Sequence, residues 1–196
     1  ITISSTGLVS GTAANGTYTF TLHVVDSLGA SSDRTFTVVI ENTVSVPSAL
    51  TDWWPGEGAV GDIIGGYHGS LKNGATYGAG KVGRGFVFNG VNDYLEVPNS
   101  SALNLAGDFT IEGWINVTSA SGQPTIIGKR SADGSDEPYV LYLFNGRLAF
   151  ASAAARFLPT WINSPAPITT NVWHHVAATL TGGQLRLYVD GSLQVS

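Results

Sequence analysis

The turn Asn89-Gly90-Val91-Asn92-Asp93 gathers three oxygen-bearing side chains in one short stretch. Calcium takes about six to eight oxygen ligands from carboxylates, amides and backbone carbonyls, and turns rich in Asn, Asp and Gly supply them. Asn89 and Asp93 are the candidate ligands here, with Asp52 and Glu57 as the acids that could join them. The same residues also suit an ordinary loop closed by side-chain to backbone hydrogen bonds. His174-His175 invites a metal reading, but neighbouring strand residues point to opposite faces, so the two rings cannot chelate one ion together. A retaining glycosidase needs two carboxylates about 5 Å apart. Glu112 and Glu96 each stand alone in their strands, while Asp133, Asp136 and Glu137 fall in a hydrophilic loop, where solvated charge suffices to explain them. Neither a nucleophile elbow, a zinc-binding His-Glu helix nor a phosphate-cradling loop occurs. A non-catalytic chain is expected.

The elements that position these residues are strands. Val176, Ala178 and Leu180 alternate with His175, Ala177 and Thr179, and Leu185, Leu187 and Val189 alternate with Arg186, Tyr188 and Asp190. That period marks strands buried on one face. Gly182-Gly183 and Asp190-Gly191 supply the positive φ angles of tight hairpins. With Phe109, Ile111, Ile115 and Val117 inward, Thr110, Glu112, Trp114 and Asn116 point outward. One sheet is then expected to display Glu112, Trp114, Tyr142, His175, Arg186 and Tyr188. Sugars bind aromatic platforms flanked by polar groups, because their C–H faces stack and their hydroxyls need partners. The same face also reads as framework covered by loops.

Composition narrows the class. Apolar residues make up 43% of the 196 and charged residues 12%, with 25 glycines. That mixture suits an all-β chain with many turns and a packed core. The net charge of −5, with no basic run, argues against a nucleic-acid partner. No apolar stretch reaches the length of a membrane span. The absence of Cys removes disulfides and thiolate metal sites. Along the chain, residues 1–43 hold alternating strands around Tyr18–Val24 and Phe36–Ile40, 44–50 form a linker interrupted by Pro47, and 51–196 form a second domain. Asp52–Gly58 reads as a strand entering a turn, Phe86–Val97 as a hairpin, Tyr139–Phe144 and Arg147–Ala151 as a hairpin around Asn145-Gly146, and Phe157–Ile168 as irregular.

Two resemblances follow from these residues. W-W-P-G-E-G through F-N-G-V-N-D-Y-L-E-V-P, then F-T-I-E-G-W-I-N-V and W-H-H-V-A-A-T…L-R-L-Y-V-D-G, resemble laminin-G-like, concanavalin-type sandwiches over residues 51–193. G-L-V-S-G-T…G-T-Y-T-F-T…V-V-D-S-L-G-A…F-T-V-V-I resembles the second half of the immunoglobulin-like and cadherin-like repeats of large bacterial surface proteins, with Ala13 where those repeats usually carry Pro. Together they imply an all-β fold: a concanavalin-like jelly-roll sandwich preceded by a partial Ig-like sandwich. The laminin-G resemblance implies a calcium ion at the sandwich rim, an extracellular location and a binding or adhesion role toward a glycan or an extracellular protein. Both ends of the chain are expected to lie inside domains. That leaves two alternatives: a filament or surface-assembly subunit, self-associating as its incomplete sheets are completed by neighbouring strands, and an accessory module of a polysaccharide-degrading enzyme.

Overall fold

The computed structural model describes residues 2–3, 9–10, 16–40, 47–129, 138–153 and 160–196. The chain divides into two compact units, Ile1–Leu50 and Thr51–Ser196. In the first, β1 (Thr2–Ile3) pairs with β2 (Val9–Ser10), and β3 (Gly16–Val25) pairs with β4 (Ser31–Ile40) along ten residues each. Period-2 alternation sorts the longer hairpin cleanly. Phe20 stacks on Phe36 at 5.6 Å on one face, and Thr21 bonds Thr35 on the other. Asp26 closes the turn by accepting from Leu28 and Ala30 N–H.

The second unit is a β-sandwich. β5 (Ser70–Lys72) pairs with β8 (Tyr94–Glu96), and β6 (Thr76–Ala79) with β7 (Arg84–Val87). Beyond a 3₁₀ turn at Ser101–Leu103 come the two main sheets. One comprises β10 (Thr125–Lys129), β11 (Tyr139–Phe144), β12 (Arg147–Ser152) and β13 (Trp161–Pro167), in that order. In the other, β9 (Phe109–Ile115) lies beside β14 (His174–Thr181), followed by β15 (Gln184–Val189) and β16 (Ser192–Val195). We call these the β12 sheet and the β14 sheet. Leu141, Leu143, Leu148, Phe150 and Ile162 from the first meet Ile111, Val176, Ala178, Leu180, Leu185 and Leu187 from the second in one buried cluster. Asn145-Gly146, Gly182-Gly183 and Asp190-Gly191 take the positive φ angles their hairpins need.

Three elements differ from the sequence expectation. Asp52–Gly58 is not a strand; its backbone is fastened instead to the 62–67 loop. Phe86–Val97 is not a hairpin, because β7 and β8 pair with different partners and the Asn89 turn joins two small sheets. Trp161–Pro167, read as irregular, is an edge strand. Pro165 and Pro167 are tolerated there because an edge leaves backbone donors unused. Thr43–Val46, residues 131–137 with Asp133, Asp136 and Glu137, residues 154–157 and most of the Gly7–Thr12 stretch lie outside the described residues.

Phe150 is fully buried between the sheets. Phe150→Ala is expected to destabilise the sandwich by about 3–5 kcal/mol, through lost burial plus the cavity left behind. All five tryptophans lie in the second unit, so indole fluorescence during urea unfolding measures that unit. Val24→Ala, at an exposed position of the first unit, should leave the signal unchanged.

Candidate functional site

The β14 sheet gathers five of the six expected face residues. His175 pairs with Trp114, Ala177 lies between Glu112 and Tyr188, and Thr179 lies between Thr110 and Arg186. Trp114 is 49% exposed. Its ring meets His175 edge to face at 5.3 Å and carries Lys81 Nζ at 5.0 Å from the centroid. His175 Nε2 lies 3.9 Å from Glu112 Oε2. The neighbouring His174 turns to the other side, where Nδ1 meets Asp190 Oδ2 at 2.8 Å. The two histidines therefore serve different partners.

Tyr142 does not join them. It lies on β11, in the β12 sheet, because the hairpin parity that places it outward does not say which sheet it belongs to. Its neighbours there are residues the sequence reading passed over. Across the outer face, Val140, Ala151 and Trp161 form one row, and Tyr142, Ala149 and Asn163 the next. Trp161, from edge strand β13, reaches across β12 to donate its indole N–H to Tyr142 Oη and to meet the Phe144 ring at 5.6 Å and near a right angle. Ala149 beneath is fully buried. Alanines on the intervening strand leave room for the indole to lie across it. Arg147 flanks the array, its guanidinium donating to Ser164 O at 3.2 Å. The sequence signal was the alternation Trp161, Asn163 against Ile162, Ser164, hidden by the prolines that follow.

The four expected calcium ligands do not converge. Asn89 Oδ1 accepts from Val91, Asn92 and Asp93 N–H, and Asp93 uses its two oxygens on Asn89 and Gly74 N–H. Both Glu57 oxygens accept from Arg84 N–H, at 3.2 and 3.1 Å. These three side chains clasp loops. Among the described residues no three His, Asp or Glu side chains form a metal-holding group.

Asp52 differs: its Oδ1 is buried without a hydrogen-bond partner. Next to it lies Asp62, which the sequence reading passed over although D-I-I-G-G is turn chemistry. Asp62 Oδ1 accepts from Trp53, Ile64 and Gly65 N–H, and Oδ2 from Tyr67 N–H. Burial pushes the Asp62 carboxyl up, and the four donors together outweigh it, so its pKa lies below the ordinary value. Asp52 Oδ1, Asp62 Oδ2 and Thr51 O all crowd the position a Gly65 side chain would take. Oxygen donors of this kind fit calcium.

Comparison with known proteins fits this architecture. The family model Laminin_G_3, concanavalin A-like lectin/glucanases superfamily, matches residues 89–196, more than half of the chain. The chain belongs to that superfamily. An Ig-domain family model, He_PIG, matches residues 1–41. Among solved structures, domain 4 of AbnA, a GH43 extracellular arabinanase from Geobacillus stearothermophilus, in complex with arabinotriose, is similar in fold. The TM-score is 0.51 at 19% identity, over 70% of this chain and 69% of that one. No curated protein is significantly similar to the chain. Among the described residues no helix is long and apolar enough to cross a membrane.

The Asp190 carboxyl is held below its ordinary value of 3.8, first by the His174 ring and then by the His175 backbone N–H. A carboxyl depressed by folding adds stability above its unfolded pKa and loses it as pH falls through the folded value. Asp190→Asn keeps an acceptor for His175 N–H and removes the charge. The stability difference between wild type and this variant, from urea titrations, should be present at pH 5 and shrink below pH 3.8 toward the depressed folded value.

Proposed function

We propose that the chain is a non-catalytic glycan-binding module of a secreted or cell-surface protein, and that it serves as an accessory to a polysaccharide-degrading enzyme. The observation that carries this reading is the Trp161–Tyr142–Phe144 array on the β12 sheet. An indole laid across a strand gives one face to the protein and the other to solvent. Its N–H is already bonded to Tyr142, so the ring is held before any ligand arrives. A pyranose or furanose ring stacks its C–H face on such a surface, and Arg147 and Asn163 stand within the same rows to meet its hydroxyls. A preorganised ring avoids the ordering cost that a free side chain incurs on binding.

On the β14 sheet the Trp114 ring is already engaged, with Lys81 over its face and His175 at its edge. The structural likeness to a domain solved with arabinotriose supports a glycan and suggests arabino-oligosaccharides as the first probe.

The reading is tested by calorimetric titration of arabinotriose, followed by xylan- and glucan-derived oligosaccharides, into wild type, Trp161→Ala and Trp114→Ala. At least one oligosaccharide should bind wild type. Trp161→Ala should weaken that affinity at least about tenfold, with little change in unfolding midpoint because Trp161 is 38% exposed. Trp114→Ala should leave affinity unchanged. Equal affinity in the Trp161 variant, or no binding across the series, contradicts the proposal.

A further inference from the structure

We infer that Arg147 sets the class of glycan taken by the β12 sheet: its guanidinium pairs with the carboxylate of a uronic acid, so the face favours acidic over neutral oligosaccharides, which rests on the glycan reading of that face. Charge is scarce there. Phe144, Arg147 and Pro167 form a third row beside the two already described, and Gly128 and Thr125 extend those two onto β10. Arg147 is the one charged residue in the three rows. Lys129 of β10 shares a row with Tyr139 and Ser152, on the opposite face, and donates to Ser100 O at 2.6 Å. Among the described residues no carboxylate forms an ion pair with Arg147. The chain as a whole carries a charge of −5, so attraction for an anion has to be local, on a surface that holds a cation and no acid.

The guanidinium is also held in place. The β12–β13 register shifts between Arg147, which faces Pro167, and Ala149, which faces Asn163, so that Ser164, Pro165 and Ala166 all stand opposite Leu148. Such bulges bend a strand and re-aim its groups. Here the Ser164 carbonyl meets Arg147 Nη1 at 3.2 Å. Ser164 is itself fixed: it is 1% exposed, and its Oγ accepts from Leu148 N–H at 3.1 Å and donates to Ala166 O at 2.7 Å. Among the described residues this carbonyl is the guanidinium's one hydrogen-bond partner. One N–H is spent on orientation, and the others stay open to a ligand. A side chain oriented in advance loses less freedom on binding.

The indole brings a sugar to that row. The Trp161 ring meets the Phe144 ring at 5.6 Å and 88°, and Phe144 lies directly opposite Arg147. The aromatic platform thus extends to the row that the arginine occupies. A carboxylate carried equatorially on a pyranose lies close to the plane of the ring. When the ring stacks, that group points sideways, toward a flank of the platform. Arg147 is such a flank, and its planar fork matches both oxygens of a carboxylate. A hydroxymethyl group at the same carbon offers a single oxygen and no charge. Ring hydroxyls of acidic and neutral sugars alike can bond Asn163, so the arginine is the residue that separates the two classes.

The test compares, on the full chain, ligands that differ only in that carboxyl group. A xylo-oligosaccharide carrying one glucuronate and its carboxyl-reduced counterpart form one pair; trigalacturonate and its methyl ester form the other. Calorimetric titration at neutral pH in about 20 mM sodium chloride should show the acid binding at least about fivefold more tightly than its neutral partner in one pair or both. In about 0.5 M sodium chloride that ratio should fall by about half or more. Arg147→Gln keeps a hydrogen-bonding side chain and removes the charge, and its ratio should drop to about one. The ratio is taken within one protein, so a general weakening of the face cancels, and the salt dependence needs wild type alone. Equal affinity for acid and neutral partner in both pairs, a salt-independent ratio, or a ratio that persists in Arg147→Gln would overturn the inference. If neutral oligosaccharides still bind and Trp161→Ala weakens them, the glycan reading stands without it. Absence of binding by every oligosaccharide, acidic and neutral, removes both.

Discussion

The dry layer between the two four-stranded sheets governs what the second unit can show to solvent. Leu143, Leu148 and Phe150 on one side and Val176, Ala178 and Leu187 on the other are almost entirely buried. Strand side chains alternate, so fixing these residues inward fixes their neighbours outward, and a slip of one residue would exchange the two sets. The outer rows of Tyr142, Ala149 and Asn163 and of Trp114 and His175 are consequences of the core. Packing sets the position of each candidate binding residue, although none of them belongs to the cluster.

At the rim the governing interaction is polar. Strand pairing cannot satisfy the irregular 52–67 backbone, and the Asp62 carboxylate takes over by accepting four of its N–H groups. One charged group thereby folds two loop segments together beside the sandwich core. The same clasp brings a second carboxylate, Asp52, to the side of Gly65 that the first also faces. Loop closure and a concentration of negative charge are thus one structural event. The clasp at Asn89 works differently: its oxygens are consumed by the turn they close.

Much of this fold was legible in the sequence because it is written in alternation and turn residues. β9, β14 and β15, with their Gly182-Gly183 and Asp190-Gly191 hairpins, follow directly from period two and positive-φ chemistry. So does the common face of Glu112, Trp114, His175, Arg186 and Tyr188. Two kinds of information were not local. Alternation tells which way Tyr142 points within its hairpin but not which sheet the hairpin joins, and that is set by the long-range pairing of β12 with β13. The prolines of Trp161–Pro167 obscured a strand that an edge position permits, and with it the indole that completes the aromatic array. Asp62 was overlooked because a capping carboxylate and a loop acid look alike until their donors are known.

The central claim is that the outer face of the β12 sheet receives a glycan. The most direct measurement is the set of five tryptophan indole N–H resonances, assigned by single substitutions and followed during titration with arabinan-, xylan- and glucan-derived oligosaccharides. The account predicts that the binding oligosaccharide moves the Trp161 signal, whose N–H bonds Tyr142 on that face, and leaves Trp114 on the other sheet in place. A ligand that moves Trp114 while Trp161 stays fixed would contradict it.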